Sequence, residues 1–118
     1  MTLEVFYNEI GSDFKAALTR MGNSEKMLGK FVRKFLNDKT TSELVSSFES
    51  GDYETAFRMA HTLKGLCANL GLDKLRASSS ELTEALRGGV VADNAGELLG
   101  TVRADYDAVM AALAQLDE

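Results

Sequence analysis

The sequence contains no proline, one cysteine and one histidine among its 118 residues. Without proline, long unbroken helices are favoured over an architecture rich in turns between strands. A single cysteine excludes an internal disulfide and fits a reducing compartment. No apolar run approaches the roughly 18 residues of a membrane-spanning helix. The first ten residues are acidic and lack the basic region of a signal peptide, so we expect a cytoplasmic protein.

The formal net charge of −5 arises entirely in the second half of the chain. The first 64 residues hold nine basic and nine acidic side chains, whereas residues 65–118 hold four basic and nine acidic ones. A nucleic-acid-binding domain carries a basic stripe, and the sequence shows none. It also has no glycine-rich phosphate-binding loop, so no ATP site is predicted.

The length predicts one domain, and an apolar content of 45% is enough for one hydrophobic core. Apolar residues recur at the three- and four-residue spacing of amphipathic helices. Four principal helices are predicted, at about residues 24–37, 53–70, 73–87 and 94–117. Because the connections are short, sequential helices are expected to run antiparallel. The predicted fold class is all-α: an up-down-up-down four-helix bundle formed by residues 23–118.

Shorter helices are predicted before and within this bundle. Residues 1–22 are expected to form N-terminal cover helices, with Thr2 and Ser12 as N-caps. Thr40 and Glu43 have the spacing of a capping box, which would introduce a short helix from Leu44 to Phe48. The basic face of the helix at 24–37 is interpreted as solvated surface, with attraction for an acidic partner as the alternative.

The longest uninterrupted helical pattern contains the only histidine, His61, and extends from the N-cap residue Asp52 to Gly71. At about 100° per residue, one group of side chains lies about 100° or more from His61. These are Ala56, Met59, Ala60, Leu63, Leu66, Cys67 and Leu70. The strip centred on His61 contains Glu54, Phe57, Arg58, Lys64, Gly65 and Ala68. So wide an apolar arc predicts a helix packed among several neighbours, with His61 exposed on the remaining strip.

Two residues on the His61 strip need an explanation other than core packing. Gly65 lies in mid-helix, where glycine is about 1 kcal/mol less favourable than alanine. Its missing side chain would let another molecule approach the imidazole closely. Lys64 follows His61 by three positions and is therefore its neighbour on the helix surface. A cation at this place makes sense if the imidazole at times carries an anion.

The segment Ala60-His61-Thr62-Leu63-Lys64-Gly65, followed by Ala68-Asn69-Leu70-Gly71, resembles the signature of histidine-containing phosphotransfer (HPt) domains. The resemblance extends to the flanks, since residues 13–38 are similar to the family's leading helices and residues 72–117 to its closing helical hairpin. It implies a histidine that carries a phosphoryl group between receiver domains in a multistep phosphorelay.

The resemblance also implies roles for individual residues. His61 would accept the phosphoryl group, through the outer ring nitrogen Nε2, from the aspartyl phosphate of one receiver domain and pass it to another. Lys64 would offset the negative charge of the phosphoryl group, and Gly65 would leave space for the receiver domain to approach. The residues expected to contact the partner are Phe57, Arg58, Ala68 and Asn69. The receiver would bring the aspartate and Mg²⁺, so neither a cofactor nor autokinase activity is expected on this chain.

Other interpretations remain open at this point. The domain could bind a receiver as a scaffold or inhibitor, with His61 dispensable. A metal site in the helical core needs several converging ligands. Cys67 is about 120° round the helix from His61, so these two cannot share an ion. Cys67 is better explained as a small apolar core residue. Asn69 could cap the end of its helix or contact the partner.

The expected partners are response-regulator receiver domains and a hybrid sensor kinase, without nucleic acid or membrane. A monomer is expected because the apolar arcs can all be buried within the chain. The initiating methionine and the complete bundle pattern favour a free-standing protein.

Overall fold

A computed structural model describes residues 1–117, and these contain helices and connecting turns but no strand. The α-helices are α1 (Leu3–Glu9), α2 (Phe14–Arg20), α3 (Glu25–Lys34), α4 (Thr40–Glu49), α5 (Tyr53–Leu70), α6 (Asp73–Ala85) and α7 (Ala95–Leu113). Short 3-10 helices follow α3 at Phe35–Asn37 and α6 at Arg87–Gly89. The all-helical class predicted from the apolar periodicity is therefore confirmed.

Helix α5 is the centre of the packing. It contacts α4 and α6 most extensively, and α7 packs against α6. The core side of α5 buries Ala56, Ala60, Leu63, Cys67 and Leu70. Burial raises the pKa of the Cys67 thiol to about 12, so this cysteine is a neutral core side chain, as predicted.

Helix α4 differs most from its prediction. It begins at Thr40 and has ten residues, whereas only Leu44 to Phe48 were expected to be helical. The predicted capping box is also wrong, because the N-cap residue is Lys39 and makes no side-chain hydrogen bond. The carboxylate of Asp38 accepts a hydrogen bond of 2.9 Å from the Thr40 backbone N–H instead.

Of the two N-caps predicted for the cover helices, Thr2 is confirmed and Ser12 is wrong. Thr2 caps α1 by accepting a hydrogen bond from the Val5 N–H at 3.2 Å. Asp13, rather than Ser12, caps α2. The hydroxyl of Ser12 accepts a hydrogen bond of 3.1 Å from the Asp73 N–H, so it serves the start of α6. This contact ties the cover helices to the turn that follows α5.

The turn between α5 and α6 depends on Gly71, which ends α5 in the left-handed conformation with φ of 72°. A Cβ atom at this position would lie 2.8 Å from the Cβ of Ala17 in α2. Both the backbone conformation and the close approach of α2 therefore require glycine. Helix α7 ends at Leu113, a few residues before the predicted end, and turns follow it.

Candidate functional site

His61 lies in the middle of α5, on the face that the core leaves free, and its side chain is exposed. Both ends of α5, the helix that carries His61, are capped. Asp52 caps its first turn by accepting a hydrogen bond from the Thr55 N–H at 3.2 Å, and Gly71 closes its last turn. The hydrogen bonds from the Thr55 side chain and backbone lower the pKa of Asp52, so the cap is charged at neutral pH. The exposure predicted from the helical wheel is confirmed.

The ring of Phe57 is stacked on the imidazole of His61. The two ring centroids are 6.3 Å apart, and the ring planes differ by 20°. Phe57 is half-buried, so one part packs against the core and the rest faces the same solvent as His61. This contact gives the imidazole an apolar neighbour one helical turn away and leaves the rest of the ring accessible.

Gly65 lies one turn beyond His61, on the other side from Phe57, and is exposed. A Cβ atom built at Gly65 meets no atom within 4 Å. No packing contact among residues 1–117 therefore requires a glycine here, in contrast to Gly71. The position next to the imidazole is open space that another molecule can enter.

Lys64 is half-buried and lies on the side of His61 that faces α6. Its positive charge acts on the Glu84 carboxyl of α6. The pKa of that carboxyl is lowered, first by the hydrogen bond from Arg87 and to a smaller degree by the charge of Lys64. The cation predicted beside His61 is thus also close to an acidic side chain that the sequence did not reveal.

Arg87 is a second cation near the site, and the sequence alone did not predict it. It follows α6 in the short 3-10 helix, and its guanidinium carbon is 5.3 Å from the ring centroid of Phe57. Arg87 also forms an ion pair with Glu84. The only sequence signal was a basic residue directly before Gly88 and Gly89, which has no meaning until α6 is placed beside α5.

The remaining predicted partner residues are spread over two ends of α5. Arg58 is exposed, but its guanidinium donates a hydrogen bond of 3.0 Å to Thr55 Oγ1, toward the start of the helix. Ala68 is half-buried, and its carbonyl accepts a hydrogen bond from Arg20 of α2. Asn69 is exposed and lines a groove, while the end of α5 is capped by Gly71.

This groove has a volume of about 510 Å³ and lies between α2, α3 and the last turns of α5. Its apolar wall is formed by Met21, Phe31, Phe35, Leu66 and Leu70. Arg20 and Lys34 add positive charge, and Asp38 and Asn69 add polar groups. Leu66 lies about 140° round α5 from His61, so the apolar wall of the groove faces away from the imidazole, whereas Asn69, at about 80° from His61 and roughly 12 Å farther along the helix, lies on the side of the groove toward the His61 strip.

The described part of the chain shows neither a metal cluster nor a membrane span. Within residues 1–117, no three histidine, cysteine, aspartate or glutamate side chains are grouped so that they could hold a metal ion. None of the helices across the same residues combines the length and apolar character that crossing a membrane requires.

Comparison with known families assigns this geometry to a class. The family model of the Hpt domain matches residues 26–117, which is most of the chain. The protein therefore belongs to the Hpt domain family, whose members are helical bundles that carry phosphoryl groups on histidine in phosphorelays, without kinase activity of their own. No curated protein and no solved structure matches the chain.

Proposed function

We propose that His61 is the phosphorylated residue and that the chain carries a phosphoryl group from the aspartate of one receiver domain to another receiver. The observation that carries the proposal is the open position at Gly65. An exposed imidazole stands beside a mid-helix glycine around which no atom of the described chain lies within 4 Å. Glycine weakens a helix, so its presence at an unpacked position is best explained by a partner that must come close.

The reacting groups are a neutral imidazole and the acyl phosphate of the bound receiver. The lone pair of a ring nitrogen attacks phosphorus, the P–N bond forms, and the aspartate carboxylate leaves with the electron pair of the P–O bond. The proton on the other ring nitrogen is then released to solvent. The reverse steps pass the group to the second receiver. We assign the attack to Nε2, the nitrogen implied by the family resemblance.

The chain and the receiver domain each supply part of the positive charge that transfer needs. Phosphoryl transfer depends on positioning and on neutralising the charge of the transferred group. In this proposal Lys64 supplies a cation from the histidine helix, and the receiver supplies Mg²⁺ with its carboxylate ligands. Lys64 is half-buried, which limits the movement of its stem, and it is one helical turn from His61.

We assign the docking of the receiver to the exposed face around His61 together with the groove near the end of the same helix. Phe57 and Gly65 flank the imidazole, and the groove, with its apolar wall, is reached past Asn69 in the last turn of α5. Lys34 brings positive charge to this groove, and a receiver active site is negatively charged. Apolar burial would supply affinity, while the charge would guide the approach of the partner.

The fold that presents this face is proposed to be an antiparallel four-helix bundle made of α4, α5, α6 and α7, with α1 to α3 across one end. It is supported by the close packing of α5 with α4 and α6 and of α6 with α7. We further propose that the chain acts as a monomer.

The test is transfer from a phosphorylated receiver domain, in the presence of Mg²⁺, to the wild-type chain and to His61→Gln. The wild type should acquire label that is labile to acid and stable to base, as expected for a phosphoramidate. The variant should acquire none. Wild-type chain that stays unlabelled with every receiver, while still binding one of them, would favour a scaffold and contradict the proposal.

A further inference from the structure

Arg87, Phe57 and His61 form a continuous row of side chains at the surface between α5 and α6. The guanidinium carbon of Arg87 is 5.3 Å from the centroid of the Phe57 ring, and this ring stacks on the imidazole at 6.3 Å. Arg87 is exposed and comes from a short 3-10 helix next to the first half of α5. A long cationic side chain is therefore held one aromatic ring away from the imidazole that would carry a phosphoryl group.

In the free chain Arg87 is occupied by Glu84. The Nε of Arg87 donates hydrogen bonds of 3.2 Å to both carboxylate oxygens of Glu84, and a terminal nitrogen of the same guanidinium donates to Oε2. The two side chains are 58% and 60% exposed, so water and salt screen their attraction and little free energy is needed to separate them. The charge of Lys64 also helps to lower the pKa of Glu84, so this carboxylate is within electrostatic reach of both cations.

A phosphoryl group is a stronger partner for a guanidinium than a carboxylate is. It carries more negative charge and offers three acceptor oxygens, and arginine binds such groups with two parallel hydrogen bonds. The exchange therefore replaces one weak surface ion pair with a more highly charged one.

On this basis we propose that Glu84 competes with the phosphohistidine for Arg87. When His61 is phosphorylated, Arg87 leaves Glu84 and binds the phosphoryl oxygens, together with Lys64. Glu84 thereby limits how strongly the chain retains the phosphoryl group and keeps the group available for the second receiver. This inference rests on the proposed function, because it assumes that His61 is the phosphorylated residue.

Substitutions of Glu84 and Arg87 should change the lifetime of the phosphohistidine in opposite directions. Glu84→Gln removes the competitor, so the phosphohistidine should hydrolyse more slowly, by about 1.5- to fivefold, the range typical of a single exposed charge pair. Arg87→Gln removes the second cation and should shorten the lifetime by a similar factor. In the double variant Glu84→Gln/Arg87→Gln, the effect of Glu84→Gln should disappear, because no arginine remains to be released.

A matched control is available at Glu54. This carboxylate is exposed on the same strip of α5, and its side chain lies next to Gly89. Glu54→Gln changes the net charge of the surface as Glu84→Gln does, but it breaks no bond to Arg87. A lifetime that depends on Arg87 should respond to Glu84→Gln and not to Glu54→Gln.

The experiment uses potassium phosphoramidate as a chemical phosphoryl donor, so that no receiver is involved, and follows the phosphohistidine signal by ³¹P NMR after the donor is removed. Circular dichroism checks that every variant keeps the wild-type helix content. Unchanged lifetimes in Glu84→Gln, an equal change in Glu54→Gln, or a Glu84→Gln effect that persists without Arg87 would each overturn the competition while leaving His61 as the carrier. A wild-type chain that shows no phosphohistidine signal would overturn both proposals.

Discussion

The hydroxyl of Tyr7 donates a buried hydrogen bond of 2.5 Å to the backbone carbonyl of Leu70, the last residue of the helix that carries His61. This bond links α1 to the end of α5, across 63 positions of sequence. It satisfies a carbonyl that the end of a helix leaves without an intrahelical partner. The cover helices therefore contribute to the stability of the histidine helix and do more than shield one end of the core.

Tyr7→Phe should lower the free energy of unfolding by about 1–3 kcal/mol, because the Leu70 carbonyl loses its partner in a buried place. Phosphoryl transfer should change little, since Tyr7 bonds to α5 at Leu70, which is roughly 13 Å along the helix from His61. Chemical denaturation with urea measures the first effect, and the labelling assay measures the second. A variant as stable as the wild type would mean that water replaces the hydroxyl.

The same residue predicts how stability depends on alkaline pH. Burial, and then the charge of Asp73, raise the pKa of Tyr7 above its ordinary value of 10.0. The folded state therefore holds this proton more tightly than the unfolded state does, so the stabilisation is complete below pH 10 and is lost as the pH rises above it. Tyr7→Phe should show a smaller alkaline loss, and part should remain because burial also raises the pKa of Tyr106.

Substitutions at Gly65 should affect the stability of the fold and the rate of phosphoryl transfer differently. Because a Cβ atom there meets nothing within 4 Å, Gly65→Ala should raise the free energy of unfolding by roughly 1 kcal/mol through helix propensity. Gly65→Gln should keep the helix content but slow transfer from a phosphorylated receiver by at least about tenfold, since its side chain fills the clearance. Gly71→Ala is the stability control and should destabilise the fold. Wild-type transfer rates in Gly65→Gln would remove the close-approach argument.

Lys64→Ala should slow transfer to His61 and shorten the lifetime of the phosphohistidine, by about three- to thirtyfold, because one charge-assisted contact to the phosphoryl group is lost. The bundle should remain folded, as the side chain belongs to the edge of the core and not to its centre. Quench-flow labelling and circular dichroism measure the two properties. Unaltered transfer would show that Lys64 is an ordinary surface lysine.

Charge reversal on α3 tests the groove as part of the docking surface. Lys34→Glu should reduce the association rate with a receiver by about three- to tenfold at low salt, and the difference should shrink as salt is added. Lys26→Glu is the matched control, because Lys26 is exposed on the same helix but does not line the groove. Stopped-flow fluorescence gives both rates. Equal effects of the two variants would mean that only the net charge matters.

The histidine helix could be predicted from sequence because each of its determinants is local. Asp52 and Gly71 mark its ends, and the apolar arc is wide and continuous, so the wheel places His61 correctly on the exposed face. The mid-helix Gly65 could also be recognised as unexplained by packing. The structure adds that the space around it is in fact empty of the chain's own atoms.

Helix α4 was underestimated because its buried face uses small polar side chains as well as Leu44. Thr41 and Ser47 are both buried, and the Ser47 hydroxyl donates to the carbonyl of Glu43 at 2.8 Å, within its own helix. Apolar periodicity does not detect a core face of this kind. The pair of Glu84 and Arg87 was missed for a different reason: its position beside Phe57 depends on the packing of α6 on α5, which no local pattern encodes.

The most direct test of the central claim is a complete relay between two receiver domains. A labelled first receiver, an unlabelled second receiver and Mg²⁺ are mixed with a small amount of the wild-type chain or of His61→Gln. We predict that label passes through the wild-type chain and accumulates on the second receiver, whereas with His61→Gln it reaches the second receiver no faster than without any chain. Equal accumulation with His61→Gln and with the wild type would contradict the account, since the chain would then act without carrying the phosphoryl group on His61.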